Sequence, residues 1–362
     1  MSSQDIEKNM LAELRNDCLT AAANQPELRT QLKEKRIAVT GGTGFMGAWI
    51  AEMVSALNDE YGLGIALDLY ARNTSGWTKK YPHLSSRSDI FLRTQDVRSP
   101  FEFQKDTHFV IHAAGIPDNR IHSSDPLRVH QTTLLGAANT LDAANQLGGL
   151  EKLLVVSSGL VVGNSNQGKP ILESDHFSSE VGKLHNVYAD SKRAAESLAS
   201  IYRSQFRMPI SIIRPFTFIG PYQDLDRPWA LNSFMQDAVT GREIRIHGDG
   251  SARRSYLYGS DVAWWVLVAL IKGQNGGVYN LGASQPISHT DLIDLICMKT
   301  SLKPRLSFNT NSGSSKSNHT DDFYPDLQAI QKSLNVKQTC SLEQALDKTW
   351  RWHSHRLALS NR

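Results

Sequence analysis

Residues 36–47 have the sequence RIAVTGGTGFMG, and this stretch decides the fold. Arg36–Thr40 predicts a buried strand, the glycines that follow predict a turn, and the residues after the turn predict a helix. Such a helix start offers free backbone N–H groups and a positive dipole end, which together suit a pyrophosphate. Gly41 can take dihedrals closed to other residues, Gly44 lets a phosphate approach, and Gly47 lets the helix pack on the strand. A plain turn is the alternative for the glycines alone, and their setting favours a dinucleotide site.

Predicted strands and helices alternate along most of the chain after this turn. The strands are residues 36–40, 65–71, 90–93, 108–113, 152–157, 210–214 and 277–281, with helices near 45–58, 126–147, 188–206 and 260–272. This alternation predicts an α/β fold, a Rossmann-type doubly wound parallel sheet with helices on both faces.

The chain divides into three predicted regions. Residues 1–34 are an N-terminal helical extension, 35–215 plus 255–285 a dinucleotide-binding Rossmann domain, and 216–254 plus 286–353 a smaller discontinuous substrate lobe. The lobe is expected over the carboxyl ends of the strands, where ligands bind in such sheets. Within it, the Ser- and Asn-rich stretch 309–319 predicts a mobile loop.

The composition narrows the class of protein. With 40% hydrophobic residues, 21% charged residues and a formal charge of +3, the chain is expected to be globular and not to bind nucleic acid. The longest apolar run, 262–271, is too short to span a bilayer. The three widely spaced cysteines indicate no disulfide framework and fit the cytoplasm. His353 and His355 lack nearby acids, so no metal site is expected.

Tyr188 and Lys192 are the candidate catalytic pair. They stand four residues apart at the start of a predicted helix, which puts both side chains on one face. A phenol ordinarily has a pKa near 10, and a neighbouring ammonium is expected to lower it so that the oxygen can accept a hydroxyl proton. A surface pair without function is the alternative for this spacing alone.

A third candidate lies upstream, after the predicted strand 152–157. Ser158 comes directly after this strand and could hydrogen-bond a reacting oxygen in the cofactor crevice. Ser, Tyr and Lys in this order behind a G-x-x-G-x-x-G turn resemble the short-chain dehydrogenase/reductase superfamily. The chain is most similar to its extended branch, the NAD-dependent nucleotide-sugar epimerases and dehydratases, over about 35–353.

The resemblance implies a set of cofactor-binding residues. These are Gly41, Thr43, Gly44, Phe45, Met46, Gly47, Arg72, Asp96, Val97, Ala113, Ala114, Gly115, Tyr188, Lys192 and Pro215. In the family, the position of Asp96 and Val97 contacts adenine, and the backbone of the HAAG motif at 112–115 lines the cofactor. The resemblance also implies that Ser158, Thr217, Asn232 and Arg254 bind substrate, with Arg254 on the nucleotide diphosphate.

Two departures from the family pattern bear on activity and cofactor. Family dehydratases carry an acidic pair just after the catalytic Ser or Thr, where this chain has Gly159 and Leu160. At the end of the second strand, Asp68 stands three residues too early for the acid that binds the ribose in NAD sites, and Arg72 could meet a 2′-phosphate instead. The cofactor is therefore NAD(P), with NAD favoured by the family and NADP possible through Arg72.

The resemblance leads to a nucleotide-sugar epimerase as the main hypothesis. Reaction at C4 through a transient 4-keto sugar is expected, with a nucleotide-diphosphate sugar as substrate. The alternatives are an NADPH-dependent 4-ketoreductase, a 4,6-dehydratase and, in another class, a non-catalytic dinucleotide sensor. Family members pair through the helices near 126–147 and 188–206, so a homodimer is expected, although the apolar positions on these helices would equally suit an intramolecular core.

Overall fold

A parallel β-sheet forms the centre of the computed structural model, which describes residues 2–163, 168–177, 179–180, 182–300, 305–309 and 322–360. The described strands are β1 (Arg36–Thr40), β2 (Ala66–Ala71), β3 (Ile90–Thr94), β4 (Phe109–His112), β5 (Lys152–Val156), β6 (Ile210–Pro215), β7 (Thr217–Ile219), β8 (Ile244–His247), β9 (Arg253–Arg254), β10 (Tyr256–Tyr258), β11 (Val278–Leu281), β12 (Ile287–Ser288) and β13 (Leu306–Asn309). The predicted loop 309–319 lies, from residue 310 onward, outside the described residues.

The helices lie between these strands, as the alternation predicted. They are α1 (Ser3–Ala22), α2 (Leu28–Leu32), α3 (Phe45–Tyr61), α4 (Ser75–Lys80), α5 (Pro82–Ser85), α6 (Asn119–Ser124), α7 (Pro126–Asn145), α8 (Val187–Phe206), α9 (Ala230–Thr240), α10 (Gly259–Lys272), α11 (His289–Thr300), α12 (Gln328–Leu334) and α13 (Leu342–Ser360). Two short 3₁₀ turns cover Gly159–Val162 and Leu184–Asn186.

Seven parallel strands pair in the order β11-β6-β5-β4-β1-β2-β3, which confirms the predicted Rossmann-type fold. Strand order reverses between β1 and β4, so the crevice for a ligand lies at the carboxyl ends of these two strands. The two faces alternate along each strand. Ile37 and Val39 of β1 pack in the core cluster that contains α3 and α10, whereas Ala38 packs in a second cluster that contains parts of α7 and α8.

The N-terminal extension packs on this domain. Helix α1 lies against α3 and α10, and its own residues Leu14 and Cys18 are buried. Asp17 accepts hydrogen bonds from Tyr258 Oη at 3.0 Å and from Lys348 Nζ at 2.6 Å. The extension is therefore integrated into the helical layer, and it helps to bury α10.

Short sheets join segments that are far apart in sequence. β13 pairs with β8, and β12 pairs with β9, so the segment after 286 packs with the segment before 254. The division into a Rossmann domain and a discontinuous substrate lobe stays a prediction. α12 falls within the segment assigned to that lobe, yet it packs on α10 and β11 of the Rossmann domain.

Candidate active site

The turn between β1 and α3 has the form that its glycines predict. Gly41 has a φ of +71°, and a Cβ added there would lie 2.8 Å from the Ala113 carbonyl oxygen. A Cβ on Gly47 would lie 2.1 Å from the Gly42 carbonyl oxygen, so the helix packs directly on the turn. Gly44 is the N-cap of α3, is exposed, and provides no side-chain cap. The first N–H groups of α3 therefore face an open position that suits a phosphate.

The side chains of the turn divide between the crevice wall and the surface. Thr43 is half-buried beside the exposed Gly44. Phe45 stacks on Phe218, with ring centroids 6.1 Å apart and an interplanar angle of 15°. Met46 packs against the core of the domain. The turn is thus held by an aromatic contact with β7 that the sequence did not reveal.

The end of β4 reaches the same crevice. The backbone N–H of Ala113 donates to the Thr40 carbonyl oxygen at 3.1 Å, and Ala114 is buried behind it. A Cβ on Gly115 would lie 3.5 Å from Lys192 Nζ, so this glycine leaves room beside the candidate catalytic lysine. The predicted HAAG motif and Lys192 therefore meet in space.

The adenosine end differs from an NAD site with a ribose-binding acid. Asp68 is fully buried and accepts from Arg36 at 2.8 Å and from Arg93 at 2.7 Å, so its carboxylate is committed inside the sheet. Arg72 follows β2, is exposed, and forms no ion pair with the part of the chain that the structure describes. Partial burial, with the nearby positive charges of Arg128 and Arg98, lowers the pKa of its guanidinium.

The two residues predicted to contact adenine lie after β3. Asp96 accepts from Arg98 Nη2 at 2.6 Å, and this pairing lowers the pKa of its carboxyl. Val97 is buried, and its carbonyl oxygen accepts from Asn139 Nδ2 at 2.8 Å. Their contact with adenine stays a prediction.

The structure brings Ser158, Tyr188 and Lys192 together. Ser158 hydrogen-bonds the Tyr188 hydroxyl, and its Oγ also accepts from the Leu160 N–H at 3.2 Å. Lys192 is buried and donates to the Val156 carbonyl oxygen at 2.7 Å, with Nζ lying 5.9 Å from the Tyr188 ring centroid. Residues from the end of β5 and from the first two turns of α8 thus converge beside β4.

The acid–base properties of this group differ from the expectation. Although the Tyr188 side chain is only half-buried, burial of its phenol raises the pKa to about 12, against the opposing effect of the Ser158 hydrogen bond. Burial also lowers the pKa of Lys192 to about 8. The pKa of the phenol therefore lies above its ordinary value, contrary to the expected lowering by Lys192, because desolvation outweighs the effect of the Ser158 hydrogen bond.

The residue after Ser158 is enclosed by aromatic rings. A Cβ on Gly159 would lie 2.7 Å from Phe216 and 2.9 Å from Phe323, whose ring centroids are 4.6 Å apart. Leu160 is 44% exposed, and its side chain has no ionisable group. The two positions of the dehydratase acid pair therefore carry no acid. Gly159 has no room for a side chain, and Leu160 is apolar.

Sequence reasoning missed His122, which lies on α6. Its imidazole stacks on the Tyr188 ring with centroids 4.7 Å apart and an interplanar angle of 14°. The two residues are 66 positions apart in the chain, and no motif quoted for the family marks this histidine.

The predicted substrate residues Thr217, Asn232 and Arg254 lie on β7, α9 and β9. Thr217 donates its hydroxyl to the Ser255 carbonyl oxygen. Asn232 is fully buried and donates to the Asp224 carbonyl oxygen at 2.8 Å, while its own oxygen accepts from Gln223 at 2.6 Å. A contact of Asn232 with substrate would require these bonds to be exchanged.

Arg254 lies on β9, and its guanidinium is 5.8 Å from the Phe323 ring centroid, so it borders the wall around Gly159. Pro215 ends β6, where the chain leaves the central sheet for β7. Substrate contact by Thr217, Asn232 and Arg254, and cofactor contact by Pro215, stay predictions.

The residues present fit a nicotinamide dinucleotide. The open N-terminus of α3 suits the pyrophosphate, and bare Gly115 leaves space beside Lys192. The hydroxyls of Ser157 and Thr133 are buried and find no hydrogen-bond partner among the described residues. When bound, the nicotinamide ring supplies a hydride acceptor and donor that protein side chains lack.

Two negative observations apply to the described residues. They contain no group of three or more His, Cys, Asp or Glu side chains placed to hold a metal ion. No helix among them is both long and apolar enough to cross a membrane.

Comparison with known proteins agrees with this geometry. The sequence profile of the NAD dependent epimerase/dehydratase family matches residues 37–282. UDP-glucuronic acid decarboxylase 1 of Arabidopsis thaliana is 26% identical over 325 residues, covering 87% of this chain and 69% of the relative. Mouse dTDP-D-glucose 4,6-dehydratase is 26% identical over 334 residues, covering 88% of each chain.

Solved structures share the fold. UDP-glucuronic acid 4-epimerase from Bacillus cereus, solved with NAD, has a TM-score of 0.74 at 21% identity, covering 89% of this chain and 99% of that one. UDP-N-acetylglucosamine 4-epimerase from Methanobrevibacter ruminantium M1 has a TM-score of 0.76 at 20% identity, covering 91% of this chain and 100% of that one.

Proposed function

This chain belongs to the NAD dependent epimerase/dehydratase family of enzymes, and we propose that it is a nucleotide-sugar 4-epimerase working through a transient 4-keto sugar. The observation that carries the proposal is the joint placement of Ser158, Tyr188 and Lys192 beside a Gly159 that has no room for an acid. An intact catalytic group in a family of enzymes leaves the non-catalytic sensor without support.

Each protein group has a defined task in this proposal. Tyr188 Oη removes the proton of the sugar C4 hydroxyl and later returns it. Ser158 holds the sugar O4 atom by a hydrogen bond. Lys192 would hold the nicotinamide ribose and supply positive charge close to the phenol. The sugar then needs space to turn over before its C4 is reduced on the other face.

The surroundings of Gly159 favour epimerisation over dehydration. Loss of water from a 4-keto sugar needs a proton donor and a proton acceptor near C5 and C6. The rings of Phe216 and Phe323 occupy the space in which an acid at 159 would extend, and Leu160 has no ionisable group. Positions 159 and 160 therefore supply neither the proton donor nor the proton acceptor that this elimination needs.

A second candidate is an NADPH-dependent 4-ketoreductase acting on a 4-keto nucleotide sugar. Arg72 favours it, because the carboxylate that could have bound a ribose diol, Asp68, is committed to Arg36 and Arg93. A guanidinium with no ion pair among the described residues suits a 2′-phosphate. The same Ser158, Tyr188 and Lys192 would then act in one direction only.

Mass spectrometry of the small molecules released on denaturation separates the two candidates. For the epimerase we expect stoichiometric NAD, and conversion of UDP- or dTDP-hexoses to their C4 epimers without net cofactor oxidation or reduction. Absence of retained dinucleotide, together with stoichiometric NADPH consumption by 4-keto-6-deoxy nucleotide sugars, would establish the reductase. Inactivity on both substrate sets would contradict both candidates.

We also propose that the protein is a cytoplasmic homodimer. Cys18, Cys297 and Cys340 are unpaired thiols, which fits a reducing compartment. Helices α7 and α8 pack together and leave Leu127, Leu135, Ile201 and Phe206 exposed, at 65%, 45%, 46% and 51%. Apolar side chains of this size on adjacent helices suit a self-complementary interface.

Light scattering tests the dimer. We expect twice the 40.2 kDa chain mass for the native protein and a shift toward the monomer for Leu135→Arg, because a charge would enter the apolar interface. Met298→Arg is the matched control, since Met298 is 71% exposed on α11, away from α7 and α8. A native monomer, or equal disruption by both variants, would refute this interface.

A further inference from the structure

Tyr188, the proposed catalytic tyrosine, packs against His122, which lies outside the Tyr188–Lys192 motif. The imidazole of His122 lies nearly parallel to the Tyr188 phenol, with a centroid separation of 4.7 Å and an interplanar angle of 14°. This is a face-to-face contact of two planar rings, and it restricts the rotation of the phenol about its side-chain bonds. It covers one ring face, while Lys192 Nζ lies 5.9 Å from the ring centroid.

His122 is itself held in place. Its Nε2 lies 2.6 Å from the Ile116 carbonyl oxygen, so Nε2 carries the proton and donates it to the backbone. The ring is thus anchored to the segment that leaves β4, which also carries Gly115 beside Lys192. The stack consequently ties α8 to the cofactor side of the crevice.

The short helix that carries His122 is held at its N-terminus by Asp118. Asp118 caps α6 by accepting from the Arg120 N–H at 3.0 Å, and the carboxylate is almost completely buried. The same carboxylate accepts from Arg227 Nη1 at 2.9 Å, and Arg227 lies in the segment assigned to the substrate lobe. An ion pair with a buried carboxylate and a partly exposed guanidinium therefore links that segment to the helix that holds the stacked histidine.

We propose that His122 is a positioning residue for the reaction, which sets the plane and direction of the Tyr188 phenol through ring stacking. The inference rests on the proposed function, since it assigns a task in the same proton transfer. His122 reaches the substrate only through Tyr188, and its stacked ring keeps the phenolic oxygen directed toward Ser158 and the reacting hydroxyl. A displacement of about 1 Å at such a group costs up to about 10²-fold in rate.

The variants separate stacking from the chemistry of imidazole. His122→Phe keeps a flat ring against Tyr188 and loses the bond to Ile116, whereas His122→Ala loses both. Ser123→Ala is the control, because Ser123 is exposed on the same helix and its hydroxyl contacts only the Asn119 carbonyl oxygen among the described residues. Thermal melting and dinucleotide content first establish that each variant is folded and loaded.

Two measurements are made on the loaded enzyme. With ring-labelled tyrosine, the Tyr188 NMR signal, identified by its loss in Tyr188→Phe, should lose its ring-current shift and broaden in His122→Ala and keep its shift in His122→Phe. For turnover, His122→Ala should lower kcat about 10- to 100-fold with little change in KM, and His122→Phe should recover most of it.

Several results would overturn the proposal. An unchanged Tyr188 signal in His122→Ala would show that the histidine does not hold the ring. A His122→Phe variant as slow as His122→Ala would show that stacking is not the relevant property. The NMR measurement needs no substrate, so it tests the stack even if the proposed epimerase activity is absent.

Discussion

Tyr188→Phe is expected to lower turnover about 10²- to 10⁴-fold, the usual contribution of a positioned general acid–base group. The substitution removes only the phenolic oxygen, so the ring stays stacked on His122 and the dinucleotide should remain bound. Loss of the oxygen removes the group that we propose exchanges a proton with the C4 hydroxyl. The measurement is steady-state turnover with the substrate found for the native enzyme, together with cofactor content.

The same helix provides a matched control. Tyr202 lies about 21 Å farther along α8 than Tyr188, at 1.5 Å per residue. Tyr202→Phe removes a hydroxyl that donates to Asp142. We expect this variant to keep native turnover. Full activity in Tyr188→Phe would eliminate the proposed mechanism, because that mechanism assigns the proton transfer to the phenolic oxygen.

The second large effect is expected from Gly47→Ala, which should abolish dinucleotide binding and destabilise the fold. The new Cβ would lie 2.1 Å from the Gly42 carbonyl oxygen, far inside contact distance. Either the turn or α3 must move, and both together form the proposed pyrophosphate site. Overpacking of this kind costs about 1–3 kcal/mol and occasionally more, which thermal melting and mass spectrometry of the released cofactor would detect.

Gly148→Ala is the control for a glycine replacement in general. A Cβ at Gly148 meets no atom within 4 Å, so melting temperature and cofactor content should match the native protein. If Gly47→Ala binds dinucleotide as the native protein does, the turn is not the phosphate site.

Sequence reasoning was most accurate where structure depends on neighbouring residues. The predicted strand 36–40 matches β1 residue for residue, and the predicted helix near 45–58 matches the start of α3. The spacing of Tyr188 and Lys192 does place both beside the same crevice, because one helical turn separates them. The order of alternating strands and helices predicted a parallel sheet, and the seven strands confirm it.

Reasoning from the sequence was less accurate for quantities that depend on surroundings. The expected lowering of the Tyr188 pKa by Lys192 is replaced by a rise to about 12, because the burial of the phenol is a property of the assembled fold. The sequence placed Asp68 three residues too early for the ribose-binding acid, and only the folded sheet shows that its carboxylate is held between Arg36 and Arg93.

The amino-acid sequence by itself determined the family, the glycine turn between β1 and α3, and the identity of the three catalytic candidates, since each depends on residues that are close together or in a fixed order. Only the tertiary structure decided that His122 covers Tyr188, and that Phe216 and Phe323 enclose Gly159. These contacts join residues tens of positions or more apart, and their geometry follows from strand order and helix packing, which no local pattern specifies.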